Sequence, residues 1–305
     1  MLLSGFVVFL VGILFAHPLP RRLDRLVAGL ARRRVLAPRT GSILDVIAAL
    51  RAERRRWRFW GGGVCAAAIA AAFVVVLIGR FSYGQLGLGI VETVFAFAAG
   101  RYLGAMAHSS VLAHVLRRRG VDVVIRPSAL DGAGGLASVG GYFFRQASIA
   151  SMPAIYISLW LLLIPAFPRY KSWLEPYCGL LVVALAFTVL AFVLPLWAFH
   201  GEMQRQKDAY GEKADEIAGR INTLRDEWFA ADDQVAQAQL RAEIEAQTQI
   251  YREIDALPTW PVAPATRRRF TINNTILTFP LAVRGLDQLG IGGDILRWIG
   301  ARLSA

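Results

Sequence analysis

The sequence predicts an all-α fold: a polytopic membrane bundle of five spans followed by a cytosolic helical hairpin. Three observations carry this. Of 305 residues, 55% are apolar and only 18% charged, where soluble domains carry about 25% charge. Four segments, Trp60–Gly79, Leu86–Ala107, Ile149–Phe167 and Cys178–Phe199, are apolar over the ~20 residues needed to cross ~30 Å of hydrocarbon. Charge is also segregated: residues 1–199 hold 21 Lys+Arg against 7 Asp+Glu, whereas residues 200–305 hold 13 against 15. Together these exclude a soluble globule, a disordered tail and a disulfide-stapled secreted scaffold. Cys65 and Cys178 both lie in apolar runs and read as space-filling. Only Lys171, Lys207 and Lys213 are lysines; the arginine bias is that of a GC-rich bacterial genome.

The first span, Leu2–Ala16, is short, uncharged and closed by His17-Pro18-Leu19-Pro20. No basic residue precedes it and Arg21–Arg34 follows it. Export of that run would break the positive-inside rule, so the segment reads as a retained anchor with its N-terminus outside rather than a cleaved signal peptide. Loop 17–59 then carries twelve arginines and loop 108–148 five, against three basic residues in the two outer loops. This asymmetry predicts a bacterial inner-membrane protein with an outside N-terminus and a cytoplasmic C-terminus. Trp57, Phe59 and Trp60 mark the inner boundary of the second span, Tyr170, Trp173 and Tyr177 the outer hairpin, and Trp197 and Phe199 the inner end of the fifth.

Within loop 17–59, Leu23, Leu26, Val27 and Leu30 share one helical face. Ser42-Ile43-Leu44-Asp45 reads as a capping box opening a second amphipathic stretch that ends in Arg54-Arg55-Arg56. Basic amphipathic helices beside a span lie on anionic lipid. The sequence therefore assigns lipid-facing roles to Arg54, Arg55, Arg56, to Arg117, Arg118, Arg119, and to Arg267, Arg268, Arg269. Nucleic acid is disfavoured as a partner, because no aromatic-interleaved binding module surrounds these arginines.

After residue 199 the composition changes to Glu, Gln, Ala, Arg and Asp, without proline to residue 256. Ile217, Ile221, Leu224 and Trp228 form one helical seam, and Leu240, Ile244, Gln247, Tyr251 and Ile254 form a second in a different phase. Ala231-Asp232-Asp233 lies between them, and Asp is a good N-cap. The simplest reading is a hairpin over 200–256, the other one long helix with a stutter. Either is too narrow to bury itself, so a homo-oligomer or a cytosolic protein partner is expected. The last part, 257–305, opens with the rigid Pro258-Thr259-Trp260-Pro261 linker. Phe270–Leu289 is apolar but interrupted by Asn273, Asn274, Pro280 and Arg284, so it reads as interfacial or cavity-lining. A final amphipathic helix is expected near Ile295–Leu303.

Two places in the membrane domain could carry function. Glu92 falls within the third span, where an ionisable group is costly; it reads either as an ion or proton site lining a pore or as a packed, protonated side chain. Gly100 and Gly104 in that span form a close-packing step. The loop Asp131-Gly132-Ala133-Gly134-Gly135-Leu136 is the most distinctive local text. A phosphate-binding reading is weak, because a membrane span follows rather than a βαβ helix and no Lys-Ser/Thr is present. A glycine-rich entry into the membrane fits better.

With Gly140-Gly141 and an apolar span after it, this loop resembles the Asp-x-Ala-Gly-Gly-Leu loop of uncharacterised bacterial multi-pass membrane proteins. In those the Asp often follows His-Pro; here Arg126-Pro127 stands three residues further away. Pro258 to Pro261 before a basic run is similar to that group as well. The resemblance implies a multi-pass fold and no known activity.

No Gly-x-Ser-x-Gly, His-Glu-x-x-His or Cys-x-x-Cys occurs, and His108 and His114 do not share a helix face. Neither an enzyme, a metal site nor a cofactor is therefore expected. The sequence favours a non-enzymatic assembly subunit whose hairpin binds a partner or itself. An oligomeric ion channel with Glu92 facing the path is second. A transporter is third, for want of paired broken helices or an inverted repeat.

Overall fold

The computed structural model describes residues 2–288, apart from 40, 80, 81, 127, 128, 130, 165 and 166. The fold is all-α with one short ribbon. Its elements are α1 (Leu2–Ala16), α2 (Leu19–Arg32), β1 (Leu36–Pro38), α3 (Ile43–Gly79), α4 (Tyr83–Ser110), α5 (Leu112–Arg118), β2 (Val121–Val123), α6 (Ala137–Ala150), α7 (Met152–Leu163), a 3-10 turn at Pro168–Trp173, α8 (Leu174–Ala230), α9 (Gln234–Asp255) and α10 (Pro264–Gln288).

Three helices, α3, α4 and α8, are long and apolar enough to cross a membrane. The bent pair α6–α7 is a fourth if it counts as one broken span. Helix α1, with 15 residues, is shorter than the ~20 that a span needs. Among the described residues, length and apolarity alone therefore give three or four candidate spans.

Several boundaries differ from expectation. The amphipathic stretch and second span, read as separate, form one helix of 37 residues; the capping box starts it, with Asp45 N–H donating to Ser42 Oγ at 3.3 Å and Ser42 N–H to Asp45 Oδ2 at 3.2 Å. The expected span Ile149–Phe167 instead begins at Ala137 and breaks at Ser151 with a 42° bend. Pro153 explains the break: it has no N–H to continue α6 and fits only in the first turn of a new helix. The Phe270 region is a continuous helix within α10. Asn273 is exposed, and Asn274 bonds back into the same helix, its Nδ2 donating to the Phe270 carbonyl at 2.9 Å. Pro280 leaves the carbonyls a turn earlier short of donors. There the Ser158 hydroxyl of α7 donates to the Leu277 carbonyl at 3.2 Å. Leu277 is buried among Ile157, Leu161, Leu181 and Leu185, so α10 lies against the apolar parts of α7 and α8. The helix expected near Ile295–Leu303 lies outside the described residues.

The basic loops are the main surprise. Leu23, Val27 and Leu30 are 1% exposed, and with Ile47 and Leu50 they join a core completed by α5, β2, α6 and α8. The apolar face expected on lipid is thus turned into the protein. The β1–β2 ribbon, pairing Leu36 with Val123 antiparallel, ties the two basic loops together. Arg39 donates from Nε and Nη2 to both carboxylate oxygens of Asp122 at 2.7 and 2.8 Å. This pairing holds Asp122 below the ordinary carboxylate range, first through the hydrogen bond. Arg54 is not lipid-facing either. It is 6% exposed and donates to Asp24 at 3.0 Å, which Arg51 also reaches.

Helices α3 and α4 cross at glycines. A Cβ on Gly104 would run into the Trp57 carbonyl, and one on Gly100 into the Gly61 carbonyl and, at 2.7 Å, Cys65 Cβ. Backbones approach this closely only where side chains are absent.

Candidate functional site

The Asp131 loop and the Pro-Thr-Trp-Pro linker, far apart in sequence, meet in the fold. Gly132, Gly134 and Gly135 all take positive φ, at 63°, 61° and 91°, which glycine adopts without a Cβ penalty. The Asp131 carboxylate organises the turn. Oδ1 accepts from the N–H groups of Ala133 and Gly135, both at 3.0 Å, and Oδ2 from Ala137 at the start of α6 at 3.1 Å. Burial alone would raise its pKa, but the three backbone donors, with help from Arg33, hold it below the ordinary range. Its job is to shape the loop and cap a helix. A phosphate-binding role for the loop finds no support, because the N–H groups that would serve it are spent on Asp131.

The linker packs onto this loop. A Cβ on Gly140 would sit 2.7 Å from the Pro261 carbonyl, and one on Gly134 3.5 Å from Pro258 Cγ. The linker is also clamped to α8. His200 Nδ1 lies 2.6 Å from the Thr259 carbonyl oxygen, and the His200 and Trp260 rings stack at 4.4 Å. Further along α8, Gln206 Oε1 accepts from Ile125 N–H at 2.8 Å. Lys207 Nζ donates to the carbonyl of Asp255 at 3.0 Å, a cation at the negative end of α9. These contacts form a rigid collar where α8 leaves the bundle and α9 returns to it.

Beyond the collar, α8 continues unbroken to Ala230. Asp233 caps α9, accepting from Val235 N–H at 3.1 Å. Helix α9 folds back along α8, and Arg220 of α8 bridges Glu243 of α9 at 2.9 Å. Between residues 204 and 256 only Ile221 and Leu224 are buried, and both belong to the first expected seam. At the tip, Phe229 is 77% and Val235 65% exposed. Arms that bury so little are poorly stabilised by their own contact.

The remaining candidates do not converge. Glu92 is half-buried on α4, and among the described residues its carboxylate has no ion-pair or hydrogen-bond partner. Arg117 and Arg118 are exposed, and Arg119 pairs with Glu53 at 3.6 Å; both line a cavity of about 720 Å³ with Arg56, Trp57 and Trp60. Arg267, Arg268 and Arg269 are exposed near the start of α10. Sequence reasoning missed a buried polar cluster beneath α3. His108 is 0% exposed with neither ring nitrogen hydrogen-bonded, and the neighbouring Ser109 hydroxyl donates to Gln146 Oε1 at 2.6 Å. The spacing from His114 had pointed away from it. Among the described residues no group of three or more His, Cys, Asp or Glu could hold a metal ion.

No protein-family model, no curated protein and no solved structure matches the chain. Any functional reading therefore rests on this geometry alone.

Proposed function

We propose that this chain is a five-span, non-enzymatic inner-membrane assembly subunit whose α8–α9 hairpin is a cytosolic arm that docks onto another copy or a protein partner. The five spans are α1, α3, α4, the broken α6–α7 pair and α8. With five spans, the positive-inside rule favours an N-terminus outside, with the collar, both basic loops and the arm on the cytoplasmic side. The single observation behind the reading is the arm itself. It is rooted in a rigid collar yet buries only two side chains and exposes Phe229 and Val235 at its tip. A rigid element with an unsatisfied apolar tip suits docking better than catalysis.

A photo-crosslinking residue at Phe229 or Val235 in native membranes tests this. Adducts that run as dimers, or as one discrete heavier species, and that vanish when the other tip position is changed to Asp, are the expected result. An arm that crosslinks only to lipid, or to nothing, in membranes where the protein is folded refutes the reading.

The channel reading keeps one supporting observation, the unpartnered half-buried Glu92. The transporter reading has one bent helix pair among the described residues to support it.

A further inference from the structure

Three arginines converge between α3 and α4. Arg55 and Arg58 of α3 and Arg101 of α4 line a cleft of about 360 Å³ with Phe59 and Phe97. Among the described residues none of the three has a carboxylate partner, although Arg54 and Arg119 nearby do. Arg58 Nε is buried without a hydrogen-bond acceptor. Arg58 is half-buried, Arg55 and Arg101 are exposed, and two of the three guanidiniums lie against aromatic rings. The Arg58 guanidinium lies 5.9 Å from the centre of the Tyr102 ring, and that of Arg101 6.0 Å from Phe97. Gly62 makes room: a Cβ there would meet Phe97 at 2.8 Å and Arg101 Cγ at 3.0 Å.

Like-charged guanidiniums beside aromatic walls repel one another, and a multivalent oxyanion relieves that repulsion while filling the orphaned donor. The cleft sits where the apolar run of α3 begins, which the proposed topology puts at headgroup level, and Trp60 beside it is 69% exposed. We propose that this cleft is a binding site for a phosphoryl oxyanion, supplied by the headgroup of an anionic phospholipid whose acyl chains lie along Phe59 and Phe97. Guanidinium forks match phosphate oxygens in pairs, which a generally basic surface does not offer. This site is independent of the arm.

The test uses the full-length protein, purified and delipidated in a neutral detergent. The probes are dioctanoyl phosphatidylglycerol, dioctanoyl phosphatidylcholine and inorganic phosphate, read by melting temperature and by native mass spectrometry. Phosphatidylglycerol should raise the melting temperature by about 2–5 °C and leave a one-lipid adduct; phosphatidylcholine should do less. The combined Arg55→Gln, Arg58→Gln, Arg101→Gln variant should lose about tenfold or more in affinity. A variant with the exposed arm arginines Arg225, Arg241 and Arg252 changed to Gln, of equal net charge, should behave as wild type. If the first variant does not fold, the exposed Arg101→Gln alone makes the same comparison. An equal shift with inorganic phosphate supports the oxyanion site with free phosphate as its occupant. No shift with either anion, or a shift that survives the cleft substitutions or is lost in the control, overturns the proposal.

Discussion

Substitution of Asp131 puts the collar to the most direct test. Asp131→Ala removes the acceptor for three backbone N–H groups, on Ala133, Gly135 and Ala137. Hydrogen bonds to charged groups are worth about 1.5–3 kcal/mol each, and ordinary ones about 1. Partial exposure of this carboxylate argues for the lower value, giving about 3 kcal/mol in all. Three glycines at positive φ add to the entropy that those bonds must overcome. At roughly 2–4 °C per kcal/mol, the melting temperature in detergent should fall by about 6 °C or more. The pH dependence supplies a second signature. The folded pKa of Asp131 lies below its unfolded value, so its contribution is complete above pH ~4 and is lost as pH falls through the lower, folded pKa. Asp131→Asn keeps an acceptor for Ala133 and Gly135 but cannot ionise. It should be less damaging than Asp131→Ala and should flatten this part of the acid slope. Thermal unfolding from pH 7 down to pH 3, followed by tryptophan emission, reads both effects. A melting temperature for Asp131→Ala within a degree of wild type, or an unchanged acid slope in Asp131→Asn, would refute the assignment.

Three further outcomes are expected. Gly104→Ala drives a methyl into the Trp57 carbonyl and should cost about 1–3 kcal/mol by overpacking, read as lowered thermal stability, whereas the same change at Gly63, which faces open space, should cost nothing. Asp24→Asn strands the buried Arg54 guanidinium and should destabilise by about 3 kcal/mol; an equally stable variant would mean that the pair carries no weight. Glu92→Gln separates the two leading functional readings: altered ion flux in reconstituted vesicles with normal assembly would promote the channel, and unchanged flux would retire it.

The sequence was legible wherever a local rule decides the outcome. The Ser42–Asp45 capping box, the Gly100–Gly104 close approach and the seam through Ile221 and Leu224 each follow from spacing within one element. The fate of the basic loops was not legible, because amphipathicity marks a face to be buried without naming what buries it. The face of α2 that matched a lipid surface meets α5, β2, α6 and α8 instead, through contacts across the chain that no local pattern encodes. Arg54 was misread for the same reason: its partner, Asp24, lies on another helix. The break at Ser151 was obscured because a broken span has the composition of an intact one. For the Asp131 loop the text was conspicuous but its role was not, since only the hydrogen-bond geometry separates a carboxylate that shapes a turn from one that serves a ligand.

The long helix α8 gives the parts a common logic. It packs against α4, α5, α6, α7, α9 and α10, so it belongs to the bundle, the collar and the arm alike. From Gln206, where the collar holds it, to Ala230 at the tip is a lever of roughly 36 Å at 1.5 Å per residue. A force on the tip is opposed at the base by the Gln206, Lys207 and His200 contacts. Those contacts end on the segments that follow β2, end α9 and precede α10. Because α10 runs back along α7 and α8, the segments that brace the arm are continuous with the packing of the helical bundle. A freely tethered binding module would need none of this bracing. The bracing suits the proposed assembly role, in which docking at the tip is oriented with respect to the membrane.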